Sequence, residues 1–227
     1  MKMQARALAH PNIAFIKYWG LEDEARKIPS NDSISMNIGC LSTTTTVTFD
    51  PKFPTDRLVL NGEEVTGAGL LRVSAFLDRL RDLADEKIFA LVESENNFPV
   101  GAGIASSASG FAALALAGST ALGLELSEKT LSSLARFGSG SACRSIPGGF
   151  VEWHTDPVTQ ESFAYSIAPP DHWKLVDCIA VLSEQHKTIG SEAGMQMAGS
   201  SPFQEVRIFD SKRRIDLCRS AILNRDF

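Results

Sequence analysis

Two glycine- and serine-rich stretches concentrate the residues able to do chemistry. The first reads Pro99-Val100-Gly101-Ala102-Gly103-Ile104-Ala105-Ser106-Ser107-Ala108-Ser109. Gly101 and Gly103 let backbone amides approach an anion closely. The Ala-rich residues that follow predict a helix whose unpaired N–H groups and positive dipole end face that same anion. The hydroxyls of Ser106 and Ser107 can hydrogen-bond a phosphate or hold its Mg2+. The stretch is neither a GxxxxGK[ST] loop nor a dinucleotide fingerprint, since the glycines fall at the wrong offsets. The second stretch is Gly138-Ser139-Gly140-Ser141-Ala142-Cys143-Arg144-Ser145. The planar fork of Arg144 matches a carboxylate, and the Ser139 and Ser141 hydroxyls with the amide of Gly140 can hold a phosphate or carboxylate beside it. Lys17 and Tyr18, just ahead of Gly20, add a point charge and a phenolic donor. Trp19 reads as packing. His10, His154, His172 and His186 have no metal-ligand spacing and read as structural or surface groups.

These groups need elements to position them. Ile34, Met36 and Ile38 alternate with polar residues, as do Leu41, Thr43, Thr45, Val47 and Phe49 beyond Gly39-Cys40; the two runs predict a hairpin. The Thr run itself reads as strand, because β-branched residues suit a pleated surface. Leu58–Leu60, Asn61-Gly62 and Val65 predict a second, tight hairpin. Leu70, Val73, Leu77, Leu80 and Ala84 mark one helix face, and a short strand is expected over 88–93. A buried helix is expected over 104–122, ending at Gly123, and another from a Ser127 cap through Arg136 to a stop at Gly138. Strands follow at 150–155 and 162–168, joined across Asp156-Pro157. Pro169-Pro170 is the best boundary in the chain. After it come an apolar strand over 175–182 and a helix over 202–224 with Ile208, Ile215, Cys218 and Ile222 inward. Strands first, then mixed helices and strands, give an α+β fold in two lobes rather than a doubly wound sheet.

The 227 residues are 44% hydrophobic and 22% charged, which excludes a disordered tail or a disulfide miniprotein. A net charge of −5 gives no general attraction to nucleic acid or an anionic membrane, so any anionic ligand needs local cations and amides. The four cysteines, at 40, 143, 178 and 218, form no CxxC clip and read as reduced thiols. The N-terminus has no apolar signal core, and the stretch from Phe111 to Leu124 is too short to span a bilayer. A cytoplasmic protein is expected.

The loop at 99–109 resembles the second motif of the GHMP kinase superfamily. His10-Pro11-Asn12-Ile13-Ala14-Phe15-Ile16-Lys17-Tyr18-Trp19-Gly20, Asn31-Asp32-Ser33-Ile34-Ser35, the Thr run, Asn96-Asn97-Phe98-Pro99, the 138–145 loop and Gly148-Gly149-Phe150-Val151-Glu152-Trp153 resemble diphosphomevalonate decarboxylases. The resemblance runs from about residue 5 to the end. It implies a two-lobed GHMP-kinase-like fold, with 1–169 as the ATP- and substrate-binding domain and 170–227 as the start of an incomplete C-terminal domain. It also implies ATP and Mg2+, and decarboxylation of mevalonate 5-diphosphate or 5-phosphate to isopentenyl diphosphate or isopentenyl phosphate. By resemblance, Arg144, Lys17 and Ser191 are catalytic. Ala14, Lys17, Tyr18, Ser139, Gly140, Ser141, Arg144 and Met195 hold the substrate. Asn97, Pro99, Gly101, Gly103, Ala105, Ser106 and Ser107 hold ATP. Lys187 faces either phosphate or solvent. A homodimer is the assembly implied.

Two positions depart from that pattern: Leu21 and Glu192 stand where relatives using the diphosphate carry cations. Less positive charge suits the monophosphate, so both substrates stay open. The family's catalytic Asp segment is not found, since Asp210, Asp216 and Asp226 lie on or just after a helix. By resemblance the chain is short by roughly 100 residues, about a small domain. A sister kinase that phosphorylates without decarboxylating, and a non-catalytic binding fragment, are the alternatives.

Overall fold

A computed structural model describes residues 3–99, 104–180 and 191–227. Strands come first: β1 (Met3–Ala9), β2 (Asn12–Ile16), β3 (Leu21–Asp23), β4 (Ile28–Pro29), β5 (Ser33–Asn37), β6 (Thr43–Phe49), β7 (Arg57–Leu60) and β8 (Glu63–Val65). Helix α1 (Ala68–Ala84), β9 (Ala90–Asn96), α2 (Ser106–Ala121) and α3 (Glu128–Gly138) follow. A 3-10 turn over Gly140–Ser145 leads into β10 (Phe150–Thr155), β11 (Ser162–Ala168), α4 (Ser191–Gln196) and α5 (Gln204–Asn224).

Two sheets carry the fold. One has the order β1-β6-β9-β7-β8, antiparallel except for the parallel β7/β9 pair; the other is the antiparallel β11-β10-β5-β2. Between them lie α2, α3 and the 140–145 turn; α1 packs on α2, α3 and β7, and α5 covers the outer face of the second sheet. The main core joins Val47, Phe49 and Val92 of the first sheet to Leu77 and Leu80 of α1 and Leu114 of α2. The buried threonine hydroxyls of β6 are satisfied: Thr43 bonds Asn96 at 2.6 Å and Thr45 bonds Ser94 at 2.9 Å. The tight hairpin forms as its sequence predicts, with Asn61 and Gly62 both at positive φ. Ser127 caps α3, accepting from the Thr130 amide at 3.2 Å. Helices at 106–121 and 204–224 and strands at 150–155 and 162–168 also stand where expected.

Two expectations are corrected. The strands on either side of Gly39-Cys40 do not pair: β5 lies between β10 and β2, whereas β6 lies between β1 and β9. Period two identifies a strand but not its partner, and β5 is buried on both faces, which only a central place in the second sheet provides. The apolar run at 175–182 forms no strand over 175–180, and Val176 is exposed; residues 181 and 182 lie outside the described residues. Apolar side chains do not suffice for a strand, which also needs a hydrogen-bonded edge, and no described strand pairs with this segment.

Among the described residues all four cysteines are free thiols, and no helix is long and apolar enough to cross a membrane.

Candidate functional site

The second sheet has two different faces. Residues opposite one another in the register share a face, so Ala14, Ser33, Ser35, Val151 and Trp153 look toward the 140–145 turn. Ile34, Glu152 and His154 look toward α5. The turn-facing side carries the candidate site.

Helix α3 stops at Gly138, where an added Cβ would lie 2.0 Å from the Phe111 ring; only glycine lets α3 and α2 meet there. Arg72 donates to the Gly138 carbonyl through Nε (2.9 Å) and Nη2 (2.6 Å), which anchors the exit. Buried Ser132 holds the next segment, donating to the Cys143 carbonyl at 3.1 Å and accepting from the Ala164 amide at 2.7 Å. Tyr18 stands edge-on to Trp153, with ring centres 4.7 Å apart, and its hydroxyl closes on Gly140, where a Cβ would lie only 2.3 Å away.

Arg144 is buried at the centre of this arrangement. Its Nε donates to Ser35 at 3.1 Å, Nη1 donates to Ser33, and Nη2 donates to Asn12 Oδ1 at 3.2 Å. The Tyr18 and Trp153 rings lie 5.7 and 5.8 Å from the guanidinium carbon, within cation–π range. Asn12 bonds in both directions, since its Nδ2 donates to Ser145 Oγ at 2.8 Å and to the Ser141 carbonyl at 3.1 Å. Burial holds the Arg144 guanidinium below its ordinary value, although it stays charged, with neighbouring Cys143 and Tyr18 opposing the shift. Burial pushes the Cys143 thiol up to about 12, so this cysteine is not a nucleophile.

The start of α2 adjoins this loop. Ser107 Oγ lies 3.3 Å from Ser139 Oγ. The α2 N-cap is Ala105, in the left-handed region at φ 48, with no side-chain capping bond and no acid in the first turn. The amides of that turn therefore fit an anion, and the Ser106 and Ser107 hydroxyls fit a phosphate or its Mg2+. Gly101, Gly103 and Lys187 lie outside the described residues. Pro99 is exposed at the loop entrance. Exposed Asn97 uses its side chain locally, accepting from the Ser42 amide at 2.8 Å and donating to the Cys40 carbonyl at 3.1 Å. It thereby ties the loop to the turn between the two sheets.

Lys17 and Tyr18 diverge. Lys17 is exposed, with its ammonium 5.6 Å from the Trp19 ring, and it lines a cleft of about 400 Å3 with Phe203, Arg207 and Asp210 of the α5 segment. Met195 of α4 packs with Leu21 on the cluster of Tyr18, Cys143, Val151 and Trp153. Ser191 opens α4.

Asn12, Ser33 and Ser35 are the site residues that strand reading missed. The signal was there: two serines two apart in a strand share a face, and a buried face made of serines needs a polar partner.

On the other face the ligand atoms of Asp32, Glu152 and His154 lie within 4.8 Å of one another, but each has a protein partner. His154 bonds Asp32 at 2.6 Å, Asp32 accepts from the Thr155 amide at 3.0 Å, and Glu152 binds Arg219. His10 and His172 likewise bond backbone carbonyls, of Leu41 and Ile222.

Residues 9–164 match the family model of the diphosphomevalonate decarboxylase-like N-terminal domain. A diphosphomevalonate decarboxylase of Ganoderma lucidum is 41% identical over 99% of the chain, and the chain spans 61% of that relative's length. Mevalonate diphosphate decarboxylase of Staphylococcus aureus superposes with a TM-score of 0.88 at 39% identity, over all of this chain and 69% of that one. The complex of MDDEF with MVAPP, AMPPCP and magnesium gives a TM-score of 0.87 at 38% identity, over all of this chain and 70% of that one.

Proposed function

Because this chain belongs to the diphosphomevalonate decarboxylase family, we propose that it carries the ATP- and substrate-binding part of an ATP-dependent decarboxylase of mevalonate 5-diphosphate. One observation carries the reading. A helix start with open amides and a buried arginine on neutral partners are joined through Ser107 and Ser139, 3.3 Å apart. The reaction needs an ATP cradle beside an anion clamp.

In this reading the start of α2 and the loop ahead of it, including Pro99, Gly101, Gly103 and Ala105, would hold the phosphates of ATP, with Asn97 holding the loop's base. Mg2+, held by Ser106 or Ser107 with the phosphates, would neutralise charge on the transferred group. Arg144 receives the substrate carboxylate. Ser139, Gly140, Ser141 and Tyr18 receive phosphate or hydroxyl oxygens, the backbone at Ala14 and the side chain of Met195 wall the pocket, Lys17 serves as a phosphate-binding cation of the substrate pocket, and Ser191 is the serine near the transferred phosphoryl group. The tertiary 3-hydroxyl oxygen takes the γ-phosphoryl group from ATP, its proton passes to solvent and ADP is the leaving group. The C1–C2 bond then breaks to release CO2, its electron pair forms the C2=C3 double bond, and phosphate leaves from C3. The product is isopentenyl diphosphate. A fixed Arg144 orients the C1–C2 bond for this loss. Residues 1–169 are taken as the binding domain and 170–227 as the beginning of a second, and we place the protein in the cytoplasm as a homodimer.

Leu21 favours a second substrate, the 5-monophosphate: it contributes a hydrocarbon wall beside Tyr18 and Met195 where a more anionic ligand would gain from a cation. The test is calorimetric titration of the chain with AMPPCP and Mg2+, mevalonate 5-diphosphate and mevalonate 5-phosphate, beside a CO2-release assay with ATP. Saturable binding of the nucleotide and one mevalonate ester is expected, with Arg144→Gln losing the ester and keeping the nucleotide. Ester binding that is absent, or indifferent to Arg144→Gln, overturns the reading. Sedimentation of the same samples reads the dimer.

A further inference from the structure

We propose that Ser33 and Ser35 are positioning residues that hold Arg144 rigidly while leaving its charge for a ligand's carboxylate. This rests on the reading that Arg144 meets the substrate carboxylate. The chain contains its own contrast. Arg81 is buried too, and it pairs with buried Asp56. Arg219, reaching in from α5, pairs with buried Glu152. Arg144 is more deeply buried than either, yet its partners are two hydroxyls and an amide oxygen, and among the described residues no carboxylate pairs with it.

Burying an unpaired charge is costly, and an aspartate at either serine position would relieve that cost locally. A hydroxyl accepts the N–H and fixes the plane of the guanidinium but adds no negative charge. Ser33 and Ser35 are both fully buried and two apart in β5, so both Oγ atoms face the same side of the sheet. Ser35 takes Nε–H, Ser33 takes one N–H of Nη1 and Asn12 takes one of Nη2. Among the described residues this leaves two of the guanidinium's five N–H groups, one on each Nη, for an acceptor with two oxygens. The geometry is a clamp selective for a planar anion, with the anion to be supplied from outside the chain.

The test uses the full chain and binding of mevalonate 5-diphosphate by calorimetry, with AMPPCP and Mg2+ as the second ligand and thermal unfolding recorded for each variant. Ser33→Ala and Ser35→Ala are expected to weaken ester binding by roughly 10- to 100-fold, as for loss of a hydrogen bond to a charged group, with nucleotide binding within about twofold of the parent. Ser35→Thr, which keeps the hydroxyl, should retain ester binding within about tenfold. Ser35→Asp should abolish ester binding without lowering the unfolding temperature, because it neutralises Arg144 in place. Parent-like ester binding by both alanine variants, while Arg144→Gln loses it, overturns the positioning role and leaves the carboxylate reading standing. Parent-like binding by Arg144→Gln overturns both. Equal weakening of ester and nucleotide with a fall in unfolding temperature overturns the proposal in favour of a purely structural role.

Discussion

Helix α2 packs on the first sheet and the 140–145 turn, helix α5 packs on the outer face of the second sheet, and the two are held in opposite ways. Eleven of the 16 residues of α2 are buried, against three of the 21 of α5. Ala, Gly and Ser dominate α2 and let it lie close against β1, β6, α3 and the 140–145 turn. It is apolar nearly all round, as a helix enclosed on every side must be. α5 buries only Ser211, Ile215 and Ile222, and its Val206, Phe209 and Leu217 face outward. Directional polar bonds fasten it instead. Arg219 grips Glu152 through two 2.7 Å bonds, Gln204 and Arg207 both donate to the Trp19 carbonyl, and the Ile222 carbonyl meets His172. The inner helix is thus positioned by packing and the outer helix by a few latches, so the two should open with different free energies.

That difference can be broken at either helix. Leu77→Ala, in the fully buried layer under α2, should cost about 2–5 kcal/mol in global stability, read by denaturant unfolding. Arg219→Ala strips the cation from buried Glu152 and should cost about 3 kcal/mol, the low end for a buried pair because Arg219 is partly exposed. Hydrogen exchange should show that loss in α5 while α2 stays protected. Gly138→Ala forces a methyl into the Phe111 ring and should cost about 1–3 kcal/mol, disturbing the α2/α3 contact and leaving α5 exchange unchanged.

A pH scan sharpens the same contrast. The Cys143 thiol rises from an ordinary 9.0 to about 12 in the folded chain. Between those values the folded state holds a proton that the unfolded state has lost, so stability should fall as pH rises through the window. Cys143→Ala should flatten that slope, and exposed Cys40 should react with a thiol reagent at pH 8 while Cys143 does not. The smallest effect belongs to Phe209→Ser on the outward face of α5. With Phe209 88% exposed, its unfolding midpoint should match the parent's within about 0.5 kcal/mol.

Local chemistry in the sequence was enough to identify most elements and the family. Asn61-Gly62 determined a type of turn, Ser127 a helix start, the glycines and serines at 99–109 and 138–145 an anion-binding character, and the separated motifs a decarboxylase relationship. Each depends on neighbours a few residues apart, where backbone sterics and spacing decide. Strand partners were decided only by the tertiary structure. Alternation around Gly39 describes two strands equally well whether they pair or part, and burial on both faces sent β5 and β6 to different sheets. The apolar run at 175–180 stayed out of any sheet because an edge to bond to is not encoded in its own side chains. Arg144 shows the same division: its residue type and loop marked it as an anion's partner, but its neutral cradle of Asn12, Ser33 and Ser35 joins residues more than 100 positions away in the chain. Only the register of β2, β5 and β10 brings those groups to one face, because the electrostatics of a buried charge depend on what surrounds it in space.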